Sequence, residues 1–299
     1  MTESPVQADQ QAMEAADAAM QMGGPQLLGV EEASQLLARS RGRVAVWMGE
    51  SGSGKTALTM RLYERQRIAP DDVQFAGSAT LLAFEELARR RRIGVAEPSP
   101  DAAPFGSNRG DERQIFHLAL RHGHEGVNLL IADLPGRLFR ALADNQLALD
   151  AVPLVRRADK LALIVDGARL RDPAARSSVL TGVRQLLERI SHTLPESGSD
   201  LALVVTKWDL IAEDPDTLAY WQAREHQVAD DVRELQPGAP HIRVAAAAPP
   251  SFPQDDGVGA LRSWLLDAPE TTTIDPAVEP YERPPDAPEP VRRSWRRRR

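Results

Sequence analysis

One octapeptide constrains this chain more than any other stretch: Gly49-Glu50-Ser51-Gly52-Ser53-Gly54-Lys55-Thr56 satisfies G-x-x-x-x-G-K-[ST] at every position. The residues around it fit the pattern. Residues 44–48 (VAVWM) form an apolar run of strand length, and Leu58 and Leu62 recur at helical spacing behind the loop. The sequence therefore predicts a strand–loop–helix unit with a phosphate-cradling loop. Its glycines let successive backbone N–H groups turn toward phosphate oxygens, and the helix N-terminus adds partial positive charge. In such a loop Lys55 reaches the β- and γ-phosphates and the Thr56 hydroxyl ligates Mg²⁺. The bland alternative is a Gly/Ser turn that happens to precede Lys-Thr, and the strand-like run before it argues against that.

Composition excludes several other chemistries. The chain has 299 residues, is 42% hydrophobic and carries a net charge of −7, which supports an ordinary core and argues against a general nucleic-acid surface. It has no cysteine, so disulfides, thiolate metal sites and a cysteine nucleophile are ruled out. No apolar run approaches the roughly 18 residues of a membrane span, and no basic n-region opens the chain. The expectation is a cytoplasmic protein with no transmembrane segment. Lysine is scarce: only Lys55, Lys160 and Lys207 occur, and two of them fall inside nucleotide motifs.

Two further motifs follow in order. Residues 127–132 read as a strand that runs into Asp133-Leu134-Pro135-Gly136, a D-x-x-G pattern. There Asp133 is the expected carboxylate on the Mg²⁺ side, and a Gly136 N–H can meet the γ-phosphate. Residues 201–205 read as another strand, ending in Thr206-Lys207-Trp208-Asp209, which matches [NT]-K-x-D. An Asp209 carboxylate can accept both N1–H and N2–H₂ of guanine, and the Lys207 stem can lie along the base. Each of these segments would also serve as a plain strand-end turn. Together, in this order, they predict a guanine-nucleotide site.

The rest of the chain divides by pattern. Residues 1–40 are a polar leader, disordered or weakly helical to residue 24, with a short helix over 27–37. Residues 41–268 form the nucleotide-binding GTPase domain, with a helical insertion near 75–92 capped by Ser78. That insertion ends in Arg89-Arg90-Arg91-Arg92, which suits either a solvated helix end or a surface for an acidic partner. Residues 96–110 are rich in Pro, Ser and Gly and read as a mobile loop. Strands are expected over 115–120 and 161–165, the latter ending in Asp166-Gly167, and over 242–246. Helices are expected over 173–194, 216–235 and 258–266. His117 reads as a packed or surface residue. Residues 269–299 form a disordered, Pro-rich tail whose Arg-rich end with Trp295 either contacts an anionic surface or is simply solvated. The fold class is α/β: a P-loop NTPase, Ras-like, with a largely parallel central sheet flanked by helices and disordered termini.

Beyond these motifs, residues 75–85 (FAGSATLLAFE), 115–118 (IFHL), 129–136 and 206–210 resemble the bacterial double-GTPase family, a translation-factor-related class of P-loop GTPases. The resemblance spans roughly residues 43–267. It implies binding of GTP and GDP with Mg²⁺, and a switch working beside a protein effector or partner GTPase in a multi-protein system. The sequence departs from the pattern in three places. Arg137 stands where Ras-like proteins often keep a water-orienting Gln, so hydrolysis is expected to be slow or partner-dependent, with Lys55 and Arg137 as the candidate catalytic residues. Ser107 is the candidate switch-loop ligand to Mg²⁺, beside Thr56 and Asp133. The last base-sensing loop, Ala245 to Ala248 around Ala246, offers only backbone N–H groups. A non-hydrolysing guanine-nucleotide scaffold and an ATP-binding P-loop protein remain the alternatives.

Overall fold

The computed structural model describes residues 27–68, 73–92, 115–122, 125–145, 147, 152–191, 198–247 and 256–267. In chain order α1 (Val30–Arg39) leads into β1 (Gly42–Met48), the glycine-rich loop and α2 (Lys55–Ile68). Next come β2 (Val73–Gly77), α3 (Leu81–Arg92), β3 (Ile115–His122), β4 (Glu125–Asp133), α4 (Gly136–Ala143) and the short α5 (Pro153–Arg156). The second half contains β5 (Lys160–Asp166), the single turn α6 (Gly167–Leu170), α7 (Arg176–Ile190), β6 (Asp200–Thr206), α8 (Trp208–Ala212), α9 (Pro215–Leu235), β7 (His241–Val244) and α10 (Val258–Leu266). The strands form one sheet in the order β2-β3-β4-β1-β5-β6-β7.

The pleat of β1 organises the two cores. Side chains alternate across a strand. Val44, Val46 and Met48 therefore enter one hydrophobic cluster, while Ala45 and Trp47 enter the other. β5 and β6 repeat the division, with Leu161, Leu163, Leu201 and Leu203 on the first side and Ala162, Ile164, Ala202 and Val204 on the second. The first cluster is closed by α1, α4, α7 and α9, the second by α2, α3 and α10. Strands buried on both faces are apolar throughout, which is why β5 and β6 read as continuous hydrophobic runs. Leu58 and Leu62 both lie in the second core, as their spacing predicts. Each such leucine contributes about 1.5–3 kcal/mol by leaving water.

The sheet is α/β and mostly parallel, as expected, but its β2–β3–β4 side is antiparallel. The segment 75–92 is accordingly an edge strand followed by a helix rather than a helix alone. Strand β2 is short, and its burial alternates weakly along VQFAG, so its sequence carries little signal. Ser78 does not cap α3 directly. Its hydroxyl accepts from Thr80 N and donates to His117 O, while the Thr80 carbonyl takes the first helical amides, Ala83 N and Phe84 N. The helix expected over 173–194 begins at Arg176, because residues 172–175 form a turn closed by Asp172. The expected leader over 1–24, the loop 96–110 and the tail from 269 lie outside the described residues.

His117 is buried, and every polar atom it has is engaged. Its Nδ1 accepts from Ala79 N at 2.8 Å, so Nε2 carries the proton and donates to Asn128 Oδ1 at 2.9 Å. Asn128 Nδ2 in turn donates to Ser40 Oγ and Arg41 O. The histidine thus ties the start of α3, through the sheet, to the end of α1. Burial holds its pKa below the ordinary histidine value. A group whose folded pKa is depressed contributes stability above its unfolded pKa and loses it as pH falls toward the folded value. The urea midpoint should therefore drop as pH falls below about 6.5, with a His117 share of at most about 1.4 kcal/mol per pH unit. His117→Gln should flatten that share. An equal acid slope in wild type and variant would show that His117 does not carry it.

Candidate nucleotide-binding site

Parallel pairing brings the carboxyl ends of β1, β4, β5 and β6 to one edge of the sheet. The register sets Trp47 opposite Asp133 and Asp166 opposite Thr206, so three motifs far apart in sequence converge around the loop that follows Met48. Crevices at the carboxyl ends of parallel strands, beside a central strand, are where α/β sheets take ligands.

The loop itself needs its glycines. Gly52 and Gly54 have φ of 74° and 90°, values that side chains rarely tolerate. Lys55 opens α2 and is buried. Its Nζ donates to Gly49 O at 3.0 Å and to Glu50 O at 2.8 Å. Burial lowers its pKa, and the carboxylates of Asp133 and Asp166 oppose that shift. Thr56 Oγ1 donates to Asp133 Oδ2 at 2.5 Å. Burial raises the pKa of Asp133, with Lys55 and the Thr56 hydroxyl holding it back. Lys55, Thr56 and Asp133, each expected at the phosphate and metal end, therefore form one connected group.

Gly136 packs directly on the loop. A Cβ there would sit 2.0 Å from Ser51 N and 2.5 Å from Ser51 Cα, so any side chain would displace the loop or the start of α4. Arg137 follows in the first turn of α4 and is exposed. One turn further on, Arg140 Nη2 reaches Glu50 Oε2 at 3.1 Å, and Arg169 of α6 pairs with the same carboxylate oxygen. Glu50 is therefore bound by two arginines that the motif pattern gives no reason to expect. Their own positions, i+4 from Gly136 and three residues past Asp166, are the only hint the sequence holds.

The motif expected on the base side is built onto the same loop. Thr206 Oγ1 donates to Ser53 O at 2.7 Å, and Lys207 Nζ donates to Gly52 O at 2.6 Å. Lys207 also pairs with the buried Asp166 carboxylate at 2.9 Å, and its backbone is left-handed at φ 51°. Asp166 caps α6 through Ala168 N. Gly167 must remain a glycine, since a Cβ would lie 2.4 Å from Thr206 O. Sequence reading placed Asp166-Gly167 only at a strand end, yet the pair fixes the geometry of Lys207. Asp209 lies in the first turn of α8, partly buried, and its carboxylate has no hydrogen-bond or ion-pair partner among the described residues. In the last loop the Ala245 N–H is already given to Asp256 O, which leaves Ala246 and Ala247 there; Ala248 lies outside the described residues. So does Ser107, the expected switch-loop ligand.

A glycine-rich loop between a buried strand and a helix, an Asp and a Gly from the neighbouring strand end, and a Thr-Lys-x-Asp turn bonded to that loop define the P-loop GTPase fold. Over residues 44–265, well over half of its length, the chain matches the Double-GTPase 2 family, and it belongs to that family. No curated protein matches the chain. Among the described residues no helix is long and apolar enough to cross a membrane.

Proposed function

We propose that the chain binds GTP and Mg²⁺ at this site, hydrolyses GTP slowly, and serves as a cytoplasmic switch for a protein effector or partner GTPase. The observation that carries the reading is the pair of bonds from Thr206 and Lys207 to the carbonyls of Ser53 and Gly52. They fix the base-selecting turn against the phosphate loop at one spacing, which suits a guanine nucleotide better than a bare phosphate.

The residues then divide the work. The Gly49–Gly54 loop supplies backbone N–H groups to the phosphates, apart from that of Ser53, which is given to Glu50 O. Lys55 offers its ammonium to the β- and γ-phosphates; that charge is already desolvated, so its attraction for phosphate is strong. Thr56 and Asp133 have hard oxygens 2.5 Å apart, the donor type Mg²⁺ prefers. The ion takes one or two such protein ligands together with waters and phosphate oxygens, so this pair fits it. Thr56 and Asp133 would hold the ion, which would supply positive charge to the phosphoryl group. Gly136 holds the start of α4 against the loop, where its N–H can sense a γ-phosphate. Asp209 accepts from the guanine edge.

Arg137 has no acceptor atom and cannot orient a water by taking its proton. Its exposure supports a contact role at the surface over one at the phosphates. Arg137→Ala should therefore leave single-turnover hydrolysis within severalfold of wild type. A roughly 10³-fold loss with unchanged GTP affinity would make it an arginine finger in cis. The experiment that tests the whole reading is single-turnover γ-phosphate release measured with GTP and with ATP. Slow release from GTP alone supports it. Tight GTP binding with no release would leave a guanine-nucleotide scaffold, and equal competition by ATP would sink the guanine assignment.

A further inference from the structure

At the pole of the sheet away from the glycine-rich loop there is a cavity of about 220 Å³. It lies where β1 begins, β3 ends and α10 terminates, and Arg41, Arg43, Arg121 and Asp267 help line it. The seven residues of β1 separate it from the loop, about 20 Å at strand rise. Val73, Leu120, Val127 and Leu266 add apolar surface to the lining.

The charges on its wall are unusual for a chain with net charge −7. Several arginines elsewhere take carboxylates, as Arg61 does with Asp256, Arg157 with Asp159 and Arg184 with Asp231, while Arg176 and Arg224 lie on the Tyr220 ring. Around the cavity, Arg41, Arg43 and Arg121 make no ion pair among the described residues. Arg43 Nη1 donates only to backbone carbonyls, Leu265 O at 3.0 Å and Asp267 O at 2.6 Å. Arg121 Nη2 donates to the neutral Gln74 Oε1 at 3.0 Å. The nearby carboxylates of Asp159 and Asp200 each hold a cation of their own, Arg157 and Lys160. Burial and then the charge of Arg41 push the pKa of Arg43 down, and the carboxylates of Asp159, Asp267 and Asp200 oppose that shift. Asp267 is the one carboxylate among the lining residues named here.

We infer that this cavity is a second ligand site, separate from the nucleotide site, for a small organic oxyanion: a phosphate or carboxylate carried on an apolar body. Guanidinium forks match both oxyanions with paired, charge-assisted hydrogen bonds. The apolar side chains of the lining take the body of the ligand, the usual division of labour in small-molecule pockets. This inference does not depend on GTP binding.

The test uses the full chain carrying Lys55→Ala, so that the glycine-rich loop does not compete for phosphate. Phenyl phosphate, phenylacetate, inorganic phosphate and phenol are titrated by calorimetry and by amide shifts. Phenyl phosphate or phenylacetate should bind saturably with Kd below about 1 mM, and whichever binds tighter names the oxyanion. Inorganic phosphate and phenol, each lacking one half of the ligand, should bind at least tenfold more weakly. Arg41→Glu with Arg121→Glu should weaken the preferred probe tenfold or more. In an otherwise wild-type background the same pair should leave GTP affinity unchanged. If that pair fails to fold, Arg121→Gln alone should weaken the probe severalfold. Absence of saturable binding by both organic probes, or full retention of binding in the charge-reversed or Arg121→Gln chain, would overturn the inference.

Discussion

Lys55→Ala should lower GTP affinity by roughly 10²–10³-fold, the range expected when one partner of a buried, hydrogen-bonded charge pair is removed. Lys55 is 7% exposed, and its ammonium donates to loop carbonyls within the fields of Asp133 and Asp166. A phosphate chain entering the loop would meet this group as its main counter-charge. Without it, the same phosphates would face Asp133 with less compensation, so attraction is lost and repulsion uncovered. The fold should survive, because β1 and α2 are held by the apolar packing of Met48, Leu58 and Leu62, which the change does not touch. Lys55→Met separates charge from packing: it keeps most of the buried stem, and should lose nearly as much affinity as Lys55→Ala. Titration with labelled GTP, with thermal melting as the fold control, gives the answer. Unchanged affinity in both variants would show that the glycine-rich loop is not a phosphate site.

What the sequence discloses here is what lies contiguous in it. The glycine-rich loop, Asp133-Leu134-Pro135-Gly136 and Thr206-Lys207-Trp208-Asp209 are short runs whose residue types carry their own chemistry. The strands behind them are apolar because both faces are buried. What joins the runs is not contiguous. Nothing near Thr206 says that its hydroxyl meets Ser53 O, or that Lys207 reaches both Gly52 O and Asp166; those contacts follow from the parallel register of β5 and β6 and from the place of β5 between β1 and β6. The Glu50–Arg140–Arg169 cluster is hidden for the same reason, since arginines on exposed helix faces usually need no explanation. Strand β2 went unseen because a five-residue edge strand buries too little to leave a pattern. Lys160 stands outside the nucleotide motifs, and the fold shows why: it opens β5 and is buried there, paired with Asp200 at 2.6 Å and facing the Trp264 ring.

The second large effect concerns the choice of base. Asp209→Asn should weaken GTP binding by about 2–4 kcal/mol, because a charged acceptor that can take two guanine donors becomes a neutral amide with one acceptor and two donors. That is roughly a 30- to 1,000-fold loss. The change should be confined to the base, because the scaffold around Asp209 is held by other residues. Lys207 keeps its left-handed backbone through bonds to Gly52 O and Asp166. On the other side Trp208 is buried, with the Arg243 guanidinium 4.4 Å from its ring centre, and Arg243 is itself bound by Glu225. The Asp209 carboxylate is thus presented from a clamped turn with no partner of its own among the described residues. The new amide should instead suit xanthine, whose carbonyl replaces the guanine amino group and needs a donor. Competition binding of XTP against GTP should therefore invert between wild type and variant, while the thermal midpoint stays within about a degree of wild type, as surface changes usually do. If wild type binds ATP as tightly as GTP, or if Asp209→Asn leaves the GTP-to-XTP ratio unmoved, the Thr206–Asp209 segment is only the turn between β6 and α8.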